Sequence, residues 1–195
     1  MAFVPIALPG ADVRIDPVWL SPVDADALFT TLRDAIPWDV HRIRLFGRLV
    51  DSPRLSCWIG DPGTAYAYSG TRFEPQAWPA ALVPVRERLS RETGVDFNSV
   101  LANCYRNGRD AMGWHSDNER ALGRQPVIAS LSLGQARRFV FRERTGSRGK
   151  HALVLPNGAL LLMAGDTQSL YQHALPATAK PVAARINLTF RRIVE

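Results

Sequence analysis

The sequence is poor in cysteine and in long apolar runs. Only two cysteines, Cys57 and Cys104, occur among 195 residues, which argues against a disulfide framework or a cysteine zinc site. The longest apolar run, near ALLLMAG, is far too short to span a bilayer, and the opening residues, MAFVPIALPGADVRID, lack the basic start of a secretory signal. We therefore expect a protein of the reducing cytoplasm with no membrane partner.

Internal repeats, low-complexity segments and linkers rich in proline or glycine are also lacking. Because 46% of the residues are hydrophobic, the chain can build one sizeable core. We predict a single domain and a monomer.

Positive charge is in excess. Lysine and arginine outnumber aspartate and glutamate by 24 to 18, which gives a net charge of +6 and a pI near 10.0. Such a chain attracts polyanions, and nucleic acid is the natural candidate partner. Many basic proteins are merely soluble, so charge alone does not decide the function.

Two helices are predicted before a series of strands. Ser21-Pro22 caps the first, which runs through VDADALFTTLRDAI. The second covers 78–93, where Pro84 argues for a late start or a kink and Gly94 marks the end. From residue 98 onward, short β-like runs alternate with turn signals, among them the hairpin-favouring Asn157-Gly158. The pattern predicts an α+β protein built on a β-sandwich or barrel.

A possible metal site begins in GWHSDNER, residues 113–120. Alternate residues of a strand face the same way, so His115 and Asp117 can reach one ion. A third ligand must come from His41, His151 or His173. We choose His173, because it ends a strand-like segment and leads into the last strand. Two histidines and a carboxylate can hold non-haem Fe(II) with open positions, although other metals fit the same set.

The last strand, RINLTFR, carries polar residues on one face, and the other face is apolar. The polar positions are Arg185, Asn187, Thr189 and Arg191. Two guanidinium groups inside a barrel need anionic partners, and a dicarboxylate satisfies both. The alternative is an edge strand whose arginines face water. Hydrogen-bonding groups also alternate in LANCY, which places Leu101, Asn103 and Tyr105 on one face.

These motifs together resemble the AlkB family of Fe(II)- and 2-oxoglutarate-dependent dioxygenases. The matching text is NCYRNGRDAMGWHSDNE, PVIASLSLGQARRFVFR, the downstream His173 and RINLTFR, over roughly residues 45 to 192. The resemblance implies that His115, Asp117 and His173 bind iron. It also implies a 2-oxoglutarate pocket made of Leu101, Asn103, Tyr105, Arg185, Asn187, Thr189 and Arg191.

The fold implied by the resemblance is a double-stranded β-helix, or jelly roll, with flanking N-terminal helices. Residues 1–97 would form a nucleotide-recognition part and residues 98–195 the catalytic core. The implied reaction consumes 2-oxoglutarate and dioxygen and removes an N-linked methyl group as formaldehyde, with succinate as the second product. The implied substrates are 1-methyladenine and 3-methylcytosine in DNA.

The resemblance also assigns residues around the damaged base. It implies that Glu119 contacts the exocyclic nitrogen, and we favour this over the alternative of an exposed turn acid. Tyr66, Tyr68 and Ser69 would surround the extruded base, as aromatic side chains do in base-flipping enzymes, although two strand tyrosines can equally belong to the core.

Two further segments resemble those of duplex-acting relatives. RLFGRLVDSPR resembles a segment that ends in an aromatic finger, in which Leu45, Phe46 and Gly47 would fill the gap left by the flipped base, unless Phe46 is a buried strand residue. Arg148, Gly149 and Lys150, in ERTGSRGK, would contact the complementary strand, unless they form a solvated loop. Cys104 stands where relatives commonly carry arginine, and Tyr68 where duplex enzymes can have phenylalanine.

Three hypotheses follow. The leading one is a repair dioxygenase acting on duplex DNA. The second keeps the chemistry but moves it to single-stranded DNA or to RNA, including transfer RNA. The third is a basic nucleic-acid-binding module without turnover, which would convert no 2-oxoglutarate.

Overall fold

A computed structural model describes residues 3–45, 48–64, 66–68, 71–146 and 149–194. The helices are α1 (Pro22–Ala35), α2 (Val83–Thr93) and α3 (Thr167–Leu170). The strands before α2 are β1 (Val4–Pro5), β2 (Asp12–Asp16), β3 (Arg42–Leu45), β4 (Arg48–Asp51), β5 (Leu55–Gly60), β6 (Tyr66–Tyr68) and β7 (Thr71–Phe73). Those after it are β8 (Ser99–Tyr105), β9 (Met112–His115), β10 (Ile128–Gly134), β11 (Arg137–Glu143), β12 (His151–Leu155), β13 (Leu160–Ala164), β14 (Tyr171–Leu175) and β15 (Arg185–Arg191).

Two antiparallel sheets form the body of the protein. The larger has seven strands in the order β1-β2-β13-β10-β15-β8-β5, and the smaller has four in the order β12-β11-β14-β9. Consecutive strands after residue 98 repeatedly fall in different sheets, as in a jelly roll. The predicted double-stranded β-helix is therefore confirmed.

The two long helices begin and end where the sequence indicates. The Ser21 hydroxyl accepts a hydrogen bond from the backbone N–H of Asp24 at 3.1 Å, which caps α1 ahead of Pro22. The second helix starts late, at Val83, after a 3-10 turn over 80–82, because a proline is tolerated in a helix only in its first turn. Gly94 ends α2 with a left-handed φ of 72°.

The hydrophobic core has two layers. One lies between the larger sheet and the helices, and includes Leu32, Leu89 and Leu188. The other lies between the two sheets, and includes Phe139, Phe141 and Met163. The larger sheet separates them, and alternate residues of its inner strand β15 face opposite layers.

The N-terminal part of the chain contributes to the same sheet. Strand β2 pairs with β13, and β5 pairs with β8. The division near residue 97 into a recognition part and a catalytic core stays a prediction. Strands β2 and β5 lie before residue 97 but belong to the larger sheet, together with strands of the catalytic core. None of the helices in the described ranges has the length and apolar character needed to cross a membrane.

The Asn157-Gly158 turn forms, but the hairpin it favours does not. It joins β12 of the smaller sheet to β13 of the larger one. The Asn157 side chain is used elsewhere, because its Oδ1 accepts from the Gly134 N–H at 2.8 Å and its Nδ2 donates to Asp26 of α1 at 2.8 Å. The turn therefore links the sheets and a helix.

Gly158 gives a stability prediction. Its φ is +79°, and an added Cβ would lie 2.5 Å from the Leu20 carbonyl oxygen, whereas Gly94, at φ +72°, has nothing within 4 Å. We expect Gly94→Ala to cost about 1 kcal/mol of unfolding free energy, from the left-handed backbone alone. Gly158→Ala should cost a further ~1–3 kcal/mol from the clash. Urea unfolding checks this, and equal losses in the two variants would contradict it.

Candidate active site

Three predicted metal ligands meet between the sheets. His115 is the last residue of β9, and His173 lies opposite it on β14, at a point where the register of that pair is irregular. One ligand atom from each of His115, Asp117 and His173 lies within 4.8 Å of the other two. The two imidazole centroids are 4.2 Å apart.

Asp117 reaches this position differently from the way its spacing suggests. The strand ends at His115, so Asp117 lies in the following loop and not on the strand face. Its carboxylate forms an ion pair with Arg191, and both side chains are nearly fully buried. Its other oxygen lies 3.5 Å from Nε2 of His173. The ion pair, and not strand alternation, brings the carboxylate to the two histidines.

The protonation states suit a divalent cation. Burial raises the pKa of Asp117, but the charge of Arg191 and the hydrogen bond with His173 outweigh it and hold the pKa well below its usual range. Burial and the adjacent His173 lower the pKa of His115. At neutral pH the site therefore offers one carboxylate and at least one neutral imidazole.

The orientation of His115 also follows from its contacts. Its Nδ1 lies 2.9 Å from the carbonyl oxygen of Gly113. Since a carbonyl oxygen only accepts, Nδ1 carries the proton and Nε2 keeps its lone pair for a metal. The ring of His173 is held by Phe139, which stacks on it at 5.4 Å between centroids.

Arg185 lies fully buried at the start of β15. One of its terminal nitrogens donates to the Ser132 hydroxyl at 2.8 Å, and the guanidinium carbon lies 5.4 Å from the centre of the Tyr105 ring. Its Nε and Nη1 have no hydrogen-bond partner among the residues that the structure describes. Burial lowers the pKa of Arg185 to about 10, so the group is still a cation at pH 7. Such a group fits an anionic ligand, because a buried unpaired donor costs free energy.

A cavity connects the metal ligands to the polar face of β15. It is lined by Leu101, Asn103, Tyr105, Met112, His115, Asp117, Ser130, Phe139, Met163, His173, Leu175, Asn187, Thr189 and Arg191. The predicted cosubstrate residues apart from Arg185 therefore share one cavity with the triad. The Asn187 amide donates to Ser130 and to the carbonyl of Leu131, so its nitrogen is already engaged by the protein.

Asn103 is held by a residue that the sequence analysis missed. The Nε of buried Arg54 donates to the Oδ1 of Asn103 at 2.8 Å. With its oxygen occupied, Asn103 has its amide N–H₂ left to donate. Gln168, also missed, accepts a 2.9 Å hydrogen bond from the Asp117 backbone N–H. No sequence pattern marked either residue.

The predicted nucleic-acid contacts are only partly described. Glu119 is half-buried directly before the 3-10 turn over 120–122, and Tyr66 and Tyr68 begin and end β6. Gly149 and Lys150 are exposed, and the Lys150 ammonium lies 5.6 Å from the centre of the Trp114 ring. The predictions for Phe46, Ser69 and Arg148 fall outside the described residues. The roles of all these residues stay predictions.

Known proteins resemble this chain over most of its length. A model of the 2OG-Fe(II) oxygenase superfamily matches residues 12–191. "DNA oxidative demethylase ALKBH2" of Bos taurus is 40% identical over 182 residues, which are 88% of this chain and 65% of that protein. "Alpha-ketoglutarate-dependent dioxygenase alkB homolog 3" of Homo sapiens is 36% identical over 190 residues, which are 93% of this chain and 66% of that protein.

The chain thus spans slightly less than two thirds of the length of these two relatives. A solved structure described as "The structure of OsALKBH1" superposes with a TM-score of 0.63 at 14% identity, covering 98% of this chain and 100% of that one. At this identity the likeness shows the shared fold.

Replacing the carboxylate should abolish metal binding. We expect Asp117→Asn to weaken Co(II) binding by more than about 100-fold, because an amide supplies no charge and is a poorer ligand than carboxylate. Calorimetric titration of the metal-free protein measures this, with circular dichroism to verify the fold. Asp96→Asn, at an exposed acid, is the control. Unchanged affinity in Asp117→Asn would remove Asp117 from the ligand set.

Proposed function

Because the chain belongs to the 2OG-Fe(II) oxygenase superfamily, we propose that it is a DNA repair enzyme of the AlkB type that demethylates base nitrogens. The superfamily accounts for Fe(II), 2-oxoglutarate and dioxygen, so the predicted cofactors and the predicted dioxygenase class are confirmed. A binding module without turnover is not favoured. The proposed lesions are 1-methyladenine and 3-methylcytosine.

The proposal rests on two features that lie between the sheets. One is a metal site with three protein ligands, and the other is the buried side chain of Arg185, which is only partly hydrogen-bonded. His115, Asp117 and His173 would hold the iron, and three protein ligands leave positions for other groups. Arg185 would receive a carboxylate of 2-oxoglutarate through its two unpartnered nitrogens. When bound, iron and 2-oxoglutarate supply the oxidising chemistry, which with dioxygen hydroxylates the methyl group and yields succinate and carbon dioxide.

The chain's own residues bind and orient the reactants. The Asn103 amide, fixed by Arg54, donates into the cavity next to the metal ligands. The apolar side chains of Leu101, Met112 and Phe139 line the same cavity and exclude water from it. The hydroxymethyl group formed by hydroxylation leaves as formaldehyde when its C–N bond breaks, and the base nitrogen is restored.

DNA is proposed as the substrate, with the duplex favoured over the single strand. The net charge of +6 supports a polyanionic partner. Two relatives over most of the chain are named DNA oxidative demethylases, those of Bos taurus and Homo sapiens. Lys150, which belongs to the segment predicted to contact the complementary strand, is exposed. We also propose a cytoplasmic monomer, and the two free, buried cysteines are compatible with a reducing compartment.

The direct test is product release from a methylated oligonucleotide. We expect formaldehyde and succinate in equal amounts from a 1-methyladenine oligonucleotide with Fe(II) and 2-oxoglutarate, and faster release from the duplex than from the single strand. A single-strand preference would overturn the duplex part of the proposal. Release only from methylated RNA would move the substrate to RNA.

Arg185 should control the requirement for the cosubstrate. Because a hydrogen bond to a charged group contributes about 1.5–3 kcal/mol, Arg185→Ala should raise the KM for 2-oxoglutarate by about 10- to 100-fold. Arg138→Ala removes an exposed arginine on β11 and serves as the control for loss of charge. An unchanged KM in Arg185→Ala would assign the main carboxylate contact to Arg191.

Replacing Phe46 should slow the reaction on duplex DNA only. If its ring fills the space of a flipped base, Phe46→Ala should slow demethylation of duplex DNA and leave the single-strand rate unchanged. Val23→Ala, at an exposed position of α1, is the matched control. An unchanged duplex rate in Phe46→Ala, or an equal loss on both DNA forms, would rule out this role for Phe46.

A further inference from the structure

We propose that Gln168 is a positioning residue for the metal: its side chain fixes the loop that carries Asp117 and thereby sets the affinity of the site for a divalent cation. The inference rests on the proposed function only in requiring that the triad binds metal. Gln168 does not itself line the cavity at the metal, but it contacts Asp117 and Met163, which do.

The Gln168 side-chain amide makes a different contact at each of its two polar atoms. The side chain is 1% exposed. Its Oε1 accepts from the Asp117 backbone N–H at 2.9 Å, and its Nε2 lies 3.6 Å from the Met163 sulfur. Since a backbone N–H only donates, the amide oxygen must face Asp117, and the amide nitrogen is left for the weakly accepting sulfur.

The backbone N–H of Asp117 needs this partner because strand β9 ends at His115 and sheet hydrogen bonds no longer satisfy it. Asp117 is only 2% exposed, so water does not easily replace Gln168. An unsatisfied N–H at such a position costs about 1–3 kcal/mol, so without Gln168 the loop would turn its amide towards another acceptor or towards water. Either movement rotates the Asp117 carboxylate away from His173.

Gln168 is itself held firmly. The preceding residue, Thr167, is fully buried and donates from its hydroxyl to the Ala164 carbonyl at 2.6 Å. The same hydroxyl accepts from the Asp12 backbone N–H at 3.2 Å, which ties α3 to β2 of the larger sheet. The helix is therefore a fixed support and not a mobile turn.

The helix also leads directly into the strand of the third ligand. Residue Tyr171 opens β14 immediately after α3, and its carbonyl accepts a hydrogen bond from the Ser116 hydroxyl at 2.8 Å. Two hydrogen bonds thus join the loop after His115 to the segment that carries His173. The Ser116 hydroxyl donates to the Tyr171 carbonyl, and the Asp117 N–H donates to the Gln168 side chain. The spacing of the triad is set by this junction as well as by the Asp117–Arg191 ion pair.

The test is a metal titration without turnover. We expect Gln168→Leu, which keeps the volume but removes the acceptor, to weaken Co(II) binding by about 10- to 100-fold, the usual effect of removing a group that orients a ligand. Calorimetry gives the Kd, and the visible absorption of bound Co(II) should change in shape as the carboxylate loses its orientation. Gln168→Glu keeps an acceptor oxygen and should restore both readouts.

Ser169→Ala is the matched control. It removes the 2.9 Å hydrogen bond from the exposed Ser169 hydroxyl to the Asp166 carbonyl on the same helix, without touching Gln168 or Asp117, so it should leave the Co(II) affinity unchanged. Equal loss of affinity in Ser169→Ala and Gln168→Leu would overturn the inference, as would wild-type affinity in Gln168→Leu. If Gln168→Leu does not fold, Gln168→Asn, which is shorter by one methylene, is expected to show the same loss.

The two proposals fail in different ways. Absence of Co(II) binding in the wild-type protein would overturn the metal site and the proposed function together. Wild-type binding and demethylation, with affinity unaffected in the Gln168 variants, would overturn the positioning role alone.

Discussion

The site depends on one buried ion pair, between Asp117 and Arg191. A carboxylate taken out of water is stable only when its charge is compensated, and here the compensation comes from the last residue of β15, an inner strand of the larger sheet. The pair joins the loop after β9 in the smaller sheet to the larger sheet. Removing either partner would leave a buried charge and also displace a group that faces the two histidines.

The ion pair is possible because β15 has one apolar face and one polar face. Ile186, Leu188 and Phe190 pack towards the helices with almost no exposure, and this packing fixes the strand in the middle of the larger sheet. The alternate residues must then face the space between the sheets, where Arg185 and Arg191 lie at opposite ends of the strand. The apolar face holds the strand in place, and the polar face can therefore present donors with little freedom.

Much of this was predictable because it rests on local periodicity. Alternation in RINLTFR predicts both faces of β15, and Ser21, Pro22 and Gly94 predict helix ends that depend on backbone chemistry alone. His115 and Asp117 could be paired by spacing, although the reason given, a shared strand face, is wrong because the strand ends at His115. The turn at Asn157-Gly158 was predictable, but which sheets it joins depends on long-range packing.

The supporting residues were not predictable, since their partners are distant in sequence. Arg54 and Asn103 are 49 positions apart, and Asp117 and Gln168 are 51 apart. A glutamine in a short helix and an arginine after a hairpin have no periodicity that marks them as buried. Their roles exist only once the sheets have assembled.

The incompletely paired guanidinium of Arg185 has a consequence for the lifetime of the protein. Two of its nitrogens are buried without partners in the described part of the chain, so the fold retains a desolvated charge that an anion would neutralise. A dicarboxylate that binds only the folded chain lowers the population of open, protease-sensitive states in proportion to its occupancy. Binding of such a dicarboxylate would therefore protect the folded chain from unfolding and proteolysis, in addition to its part in turnover.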